Sequence, residues 1–178
     1  MRHLAKGRKK FLMITGIVIA AVIAIAVFIK YEIDISYNSL ETEEYTVTSD
    51  RIESDVKIVL ISDLHDHTFG EKNKELVKIL KDQKPDLILM AGDMINDVSK
   101  DSHVALELIE QVKDIAPVYY SLGNQEEDYI AKKTSDLISE LQDAGAIVLD
   151  ESYRDIVVNG NSIRLGGMYD YAFALDGN

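Results

Sequence analysis

No cysteine occurs in the 178 residues. Disulfides, thiolate catalysis and a cysteine-ligated zinc site are thereby excluded, and the redox compartment is left undetermined. Histidine is scarce as well, limited to His3, His65, His67 and His103. The first thirty residues contain no acid, although they carry Arg2, Lys6, Arg8, Lys9, Lys10 and Lys30. Residues 31–178 are poor in bases instead: they hold thirteen of the nineteen Lys and Arg against all thirty-one Asp and Glu, a local charge of −18. Such an acidic body argues against a nucleic-acid partner, because binding one depends on neutralising phosphates with Lys and Arg. It suits a solvated, soluble surface. There is no internal repeat and no low-complexity segment, and the length allows one small domain.

What is present divides cleanly. Phe11 to Ile29 is a run of nineteen uncharged residues, FLMITGIVIAAVIAIAVFI. As a helix it would span roughly 28 Å, close to the hydrocarbon thickness of a bilayer. The basic segment 1–10 precedes it and is expected to stay in the cytoplasm by the positive-inside rule, which places the acidic body on the outer face. The competing reading is a cleaved signal peptide, for which Ala24-Ile25-Ala26 has the small-x-small form. The apolar run is longer than the ~7–15 residues usual for a signal core, which favours a single-pass anchor at 11–29. Residues 30–55 read as a polar juxtamembrane segment. Within it EYTVTSDRI alternates apolar and polar positions and predicts an edge strand.

From residue 56 onward, strand and helix patterns alternate. Lys57–Ile61 is a β-branched apolar run that suits a strand buried on both faces. Glu71–Gln83 gathers Leu76, Val77, Ile79 and Leu80 on one helical face and is closed by Pro85. Leu87–Met90 predicts a strand. Val104–Val112 predicts a helix through Leu106, Ile109 and Val112, and Val118–Leu122 a third strand. A longer helix is expected over Glu126–Asp143, capped by Gly145, then a strand at Ala146–Leu149. Ile156–Val158 and Ile163–Leu165 flank Asn159-Gly160-Asn161, a strong hairpin signal. The alternation implies an α/β fold with a mainly parallel sheet. The final MYDYAFALDGN reads as a loop with no closing element.

Three motifs sit where predicted strands end: Asp63-Leu64-His65 after KIVLIS, Gly92-Asp93 after PDLILMA, and Gly123-Asn124 after APVYYSL. That is the carboxyl edge of a parallel sheet, where α/β proteins bind ligands. In an extended segment Asp63 and His65, two apart, would point the same way and reach one metal ion. Asp93 leaves the neighbouring strand, where a carboxylate can bridge two ions, and Asn124 offers a neutral oxygen at the third. Mixed carboxylate, carboxamide and imidazole donors suit Mn²⁺, Fe, Zn²⁺ or Mg²⁺. Two ions about 4 Å apart can clamp a phosphate oxygen and acidify a bridging water. Taken singly, each residue has a plainer reading: Asp as a helix N-cap, Gly-Asp and Gly-Asn as turns, His67 as a solvated loop residue, His103 as a surface residue at a helix start. The specificity lies in the ordered set, each member preceded by a strand.

These residues resemble the calcineurin-like metallophosphoesterase family, in particular its bacterial membrane-associated or exported members, from about Lys57 to Gly167. The carrying patterns are I-S-D-L-H, P-D-L-I-x-x-x-G-D and Y-x-x-x-G-N. The resemblance implies a four-layer α/β/β/α sandwich and two divalent metal ions. Asp63 and His65 would bind the first ion, Asp93 would bridge, and Asn124 would bind the second. Three departures stand out. Gln125 replaces the family's histidine in Gly-Asn-His, the residue that stabilises the phosphoryl group or protonates the leaving group. Gln125 can donate a hydrogen bond but supplies no proton near neutral pH. Asn96 stands where Gly-Asp-x-x-Asp has its second Asp, with Asp97 one place late. The family's three later histidine ligands have no counterpart, since no histidine follows His103.

The domain at 56–178 is therefore expected to be a partial one, truncated relative to the family, with incomplete metal shells. Misplacing an ion by about 1 Å can cost ~100-fold in rate, so a poor catalyst is expected. The favoured reading is a membrane-anchored phosphoesterase of the cell envelope, acting on a phosphomonoester or phosphodiester. The alternatives are a catalytically inactive anchored module that binds metal or a partner, and a metal-binding domain completed by another subunit. Nothing in the residues chooses a substrate or an oligomeric state.

Overall fold

The computed structural model describes residues 2–133 and 136–168. It divides into an amino-terminal unit, 1–43, and a second unit, 44–178. The first unit is one helix, α1 (Arg2–Asn38). Its stretch Phe11–Asn38 is long and apolar enough to cross a membrane. The helix runs past the predicted apolar segment 11–29 at both ends, because neither flank contains a proline or glycine cluster to stop it.

The second unit is α/β, as expected. β1 (Ile58–Ile61), β2 (Leu87–Met90), β3 (Val118–Tyr120) and β4 (Ile147–Val148) form a parallel sheet in the order β1-β2-β3-β4. The register pairs Ile58 with Leu87, Ile88 with Val118 and Tyr119 with Ile147. α2 (Lys74–Gln83) follows a 3₁₀ turn at Glu71–Asn73, and α3 (His103–Val112), α4 (Asn124–Lys132) and α5 (Leu137–Ala144) complete the crossovers. β5 (Ser152–Val158) and β6 (Asn161–Gly167) form the predicted antiparallel hairpin. Asn159 and Gly160 both take positive φ, 49° and 84°, as a two-residue type I′ turn requires.

Period-two alternation gives the inner strands β2 and β3 two buried faces. Leu87, Leu89, Tyr119, Ile147 and Leu149 pack with Ile156, Val158 and Leu165 of the hairpin, so one face of the sheet meets a second sheet. Ile88, Met90, Val118 and Tyr120 point the other way and are fully buried. α3 contributes Val104, Ala105, Leu108, Ile109 and Val112 to the core, and α5 contributes Leu137 and Leu141. Leu108, rather than the expected Leu106, lies on the buried stripe of α3.

Several expectations are corrected. Residues 44–52 form no strand: Tyr45 and Val47 are exposed, and an alternating pattern makes a strand only when a neighbour offers hydrogen-bonding partners. β1 is not buried on both faces. It is an edge strand with Ile58 43 % and Leu60 64 % exposed. The long helix over Glu126–Asp143 is two helices, with α4 beginning at Asn124. α4 ends at Lys132 and α5 begins at Leu137, with Asp136 at its N-cap position. Gly145 caps α5 in the left-handed region as predicted, with φ 119°. The expected open loop at 168–178 lies, apart from Met168, outside the described residues.

Core and edge should respond differently to truncation. Leu141→Ala, at a position with no exposure, is expected to lower stability by about 2–5 kcal/mol in urea unfolding of the full chain in detergent. Leu60→Ala, on the open face of β1, should change the same midpoint little.

Candidate metal centre

The loops that leave β1, β2 and β3 meet at the carboxyl edge of the sheet. The first two are joined along their backbones. Asp63 N donates to Gly92 O at 3.1 Å, His65 N to Asp93 O at 3.0 Å and Asp66 N to Met94 O at 3.0 Å. This pairing bends the first loop. Asp63, His65, Asp66 and Asp93 all adopt left-handed φ, between 47° and 58°. Such conformations cost about 1–2 kcal/mol each for residues with a Cβ, so the surrounding contacts must impose them. Asp63 and His65 do converge, with Nε2 4.0 Å from Asp63 Oδ1. A turn brings them together, not the strand alternation expected from the sequence.

The second and third loops are pressed tighter still. A Cβ on Gly92 would overlap the backbone of Gly123, and one on Gly123 would overlap Asp93 Oδ1 and its backbone nitrogen. Gly92 also takes φ 82°. Both glycines are therefore needed for the close approach itself. Asp93 Oδ1 accepts from Gln125 N at 3.1 Å, so this carboxylate caps a helix, but that helix is α4 from the next crossover.

Glu126 joins these loops from beneath. It has no exposure, and its two oxygens take five donors. Oε2 accepts from Asp93 N (2.8 Å) and Gly123 N (2.9 Å). Oε1 accepts from Met94 N (2.8 Å), Ile95 N (3.4 Å) and the Tyr120 hydroxyl (2.7 Å). Burial first, and then the Glu126 charge, push the Tyr120 phenol well above its ordinary value.

Donor atoms of Asp63, His65 and Asp93 all lie within 4.8 Å of one another. Two carboxylates and an imidazole so disposed fit a divalent cation of borderline hardness. Asn124 opens α4 beside Gly123, exposed at the same edge. Gln125 turns its carbonyl to the backbone of Asp97, accepting from Asp97 N at 3.0 Å. Asp97 is no ligand here: its carboxylate is paired with Lys132 at 2.6 Å, whose hydrogen bond holds it below the usual carboxylate range. His67 is half-buried, not solvated, and meets the Phe69 ring edge-on at 4.6 Å. His103 is on the surface, as expected, paired with Asp101.

Two contributors escaped the sequence reading. Glu126 appeared only as the first residue of the expected helix; the structure makes it the N3 acid of α4, a local capping position that does not by itself reveal its long-range donors. Asn96 was visible only as a departure from a motif. Its side chain contacts His65 and Asp66, thirty or more positions away, which no local pattern encodes.

The calcineurin-like phosphoesterase family model matches residues 56–172, and the chain belongs to that family. A metallophosphoesterase of Caenorhabditis elegans is 30 % identical over 125 residues, covering 69 % of this chain and 25 % of the relative. The metallophosphoesterase YkoQ of Bacillus subtilis is 24 % identical over 84 % of this chain and 58 % of its own length. A metallophosphoesterase of Campylobacter jejuni is 25 % identical, with 84 % of this chain and 42 % of the relative covered. The chain thus spans between a quarter and somewhat over half the length of these relatives. The class that the fold defines is thus an α/β metallophosphoesterase domain, and Asp63, His65 and Asp93 form a candidate metal-ligand cluster within it.

Removing Glu126 should undo the site. Glu126→Ala leaves five buried donors without their acceptor and is expected to cost at least about 3 kcal/mol in unfolding. Tyr120 adds a pH test. The folded protein keeps the phenolic proton where the unfolded chain releases it, so stability falls as pH rises past about 10. In denaturation followed between pH 8 and 11, Tyr120→Phe should show a shallower alkaline decline than the wild type.

Proposed function

We propose that the chain is a membrane-anchored, metal-dependent phosphoesterase that hydrolyses a phosphomonoester or phosphodiester at the outer face of the cell membrane. The observation that carries this reading is the convergence of Asp63, His65 and Asp93 donors within 4.8 Å at the sheet's carboxyl edge. Asp63 and His65 would hold one divalent ion, Asp93 would bridge to a second, and Asn124 would serve the second. Mn²⁺, Fe, Zn²⁺ and Mg²⁺ all suit the donor set. Such ions, when bound, polarise a phosphoryl oxygen and acidify water.

The chain's own residues supply orientation. Gln125 N–H fixes one oxygen of Asp93, and Glu126 holds the Asp93 and Gly123 backbones in place. The first turn of α4 adds the partial positive charge of a helix start next to an incoming phosphate. Gln125 offers an amide where a proton donor would assist the leaving group, so departure is left without acid assistance from that position.

Anchoring is supported by α1, whose span Phe11–Asn38 suits a bilayer, and by the basic residues at its amino-terminal end. The membrane lipid bilayer and a phosphate ester of the envelope are the proposed partners. The −18 charge of residues 31–178 makes nucleic acid a poor one. One observation favours a second reading, an anchored module that binds metal or a partner without turnover. The Gln125 side chain is committed to the Asp97 backbone and carries no transferable proton.

Hydrolysis of a chromogenic phosphodiester by the full chain in detergent with Mn²⁺ separates the two. Under the first reading Asp93→Asn should reduce metal-dependent turnover by at least about 100-fold. Mn²⁺ uptake by the wild type with no turnover at all would leave the second.

A further inference from the structure

Asn96 was a mere departure from a motif in the sequence, but its hydrogen bonds determine the state of His65. The amide nitrogen Nδ2 faces His65 O at 2.9 Å and Asp66 Oδ2 at 3.0 Å. A backbone carbonyl and an ionised carboxylate only accept. Flipping the amide would set Oδ1 against both acceptors, so the orientation is chemically determined. Oδ1 consequently faces His65 Nδ1, at 3.0 Å. A carboxamide oxygen only accepts, so Nδ1 must carry the hydrogen. In a neutral imidazole the other nitrogen, Nε2, then holds the lone pair. Nε2 is the nitrogen on the Asp63 side.

We infer that Asn96 is a positioning residue that sets His65 as the Nδ1–H tautomer with Nε2 free for a metal ion, and that Asn at 96 is required because Asp66 is its neighbour. This deepens the metal-site reading and rests on it for the role of His65. Asp66 Oδ2 also accepts from Asn96 N at 3.2 Å and from the Ser99 hydroxyl, while Asn96 N reaches Ser99 Oγ at 3.0 Å. The carboxylate is thus the hub of the clamp, and a second carboxylate at 96 would face it directly. An aspartate there would keep an acceptor for His65 Nδ1 but lose both Nδ2 bonds and add like-charge repulsion. The amide and the carboxylate therefore form one unit across the two loops. Groups that hydrogen-bond the other ring nitrogen of a metal-ligating histidine typically alter metal affinity 10–100-fold.

The test uses the full chain in detergent micelles with ring-¹⁵N-labelled histidine. The His65 signals are assigned by their loss in His65→Gln. Metal-free wild type is expected to show His65 protonated at Nδ1 and bare at Nε2. Asn96→Leu, which keeps the volume and removes the acceptor, should lose that single-tautomer signature while the backbone amide signals of β1 to β4 stay in place, which separates the clamp from general misfolding. Mn²⁺ binding, read by electron paramagnetic resonance, should weaken 10–100-fold in Asn96→Leu. A wild-type His65 protonated at Nε2, or an Nδ1-protonated one unchanged by Asn96→Leu, would overturn the inference. Failure of the wild type to take up Mn²⁺, with His65 still held by Asn96, would sink the metal-site reading and leave the clamp standing.

Discussion

A single buried carboxylate holds the working edge of this molecule together. Glu126 receives backbone donors from Asp93, Met94, Ile95 and Gly123 and the hydroxyl of Tyr120. A charge with no exposure is tolerable only when its oxygens are saturated in this way. The donors come from the loop after β2, from the loop after β3, and from β3 itself. The same contact therefore satisfies the first turn of α4, closes the second loop against the third, and turns Asp93 toward the site. Gly92 and Gly123 make the contact sterically possible by leaving out the Cβ atoms that would collide there.

From that junction the geometry passes to the first loop. Once the backbone of Asp93 and Met94 is held, its carbonyls are available to His65 N and Asp66 N. Those bonds impose the left-handed conformations on Asp63, His65 and Asp66. Unfavourable backbone conformations concentrated at one edge are what a preorganised site looks like, since the ligand need not supply the cost of arranging its donors. The parallel sheet beneath acts as a rigid base, with its inner strands β2 and β3 packed on the hairpin side and buried on the other.

Much of this was legible in the chain. The β-branched and apolar runs placed β2 to within a residue, and Asn159-Gly160 placed the hairpin turn, because both signals are local. The meeting of Asp63, His65 and Asp93 was legible because each follows a strand, and parallel strands deliver their carboxyl ends to one edge. The failures share a cause. The expected edge strand at 44–52 had a pattern without a partner, and β1 had the composition of a buried strand but an edge position. α4 and α5 are separate helices although the sequence between them holds no proline or glycine. Each outcome depends on what lies beside the segment in space.

The sequence by itself determined the division into an apolar amino-terminal helix and an acidic α/β body, the strand-ending motifs, and family membership through their order. These depend on local composition and on chain order, which periodicity records. Only the tertiary structure decided that a turn, and not an extended strand, brings Asp63 to His65. It alone showed Gln125 fastened to Asp97, Glu126 beneath two loops, and Asn96 set between His65 and Asp66. Those relations join residues about thirty positions apart, and hydrogen bonds of that reach exist only after the crossovers have brought the strand ends together.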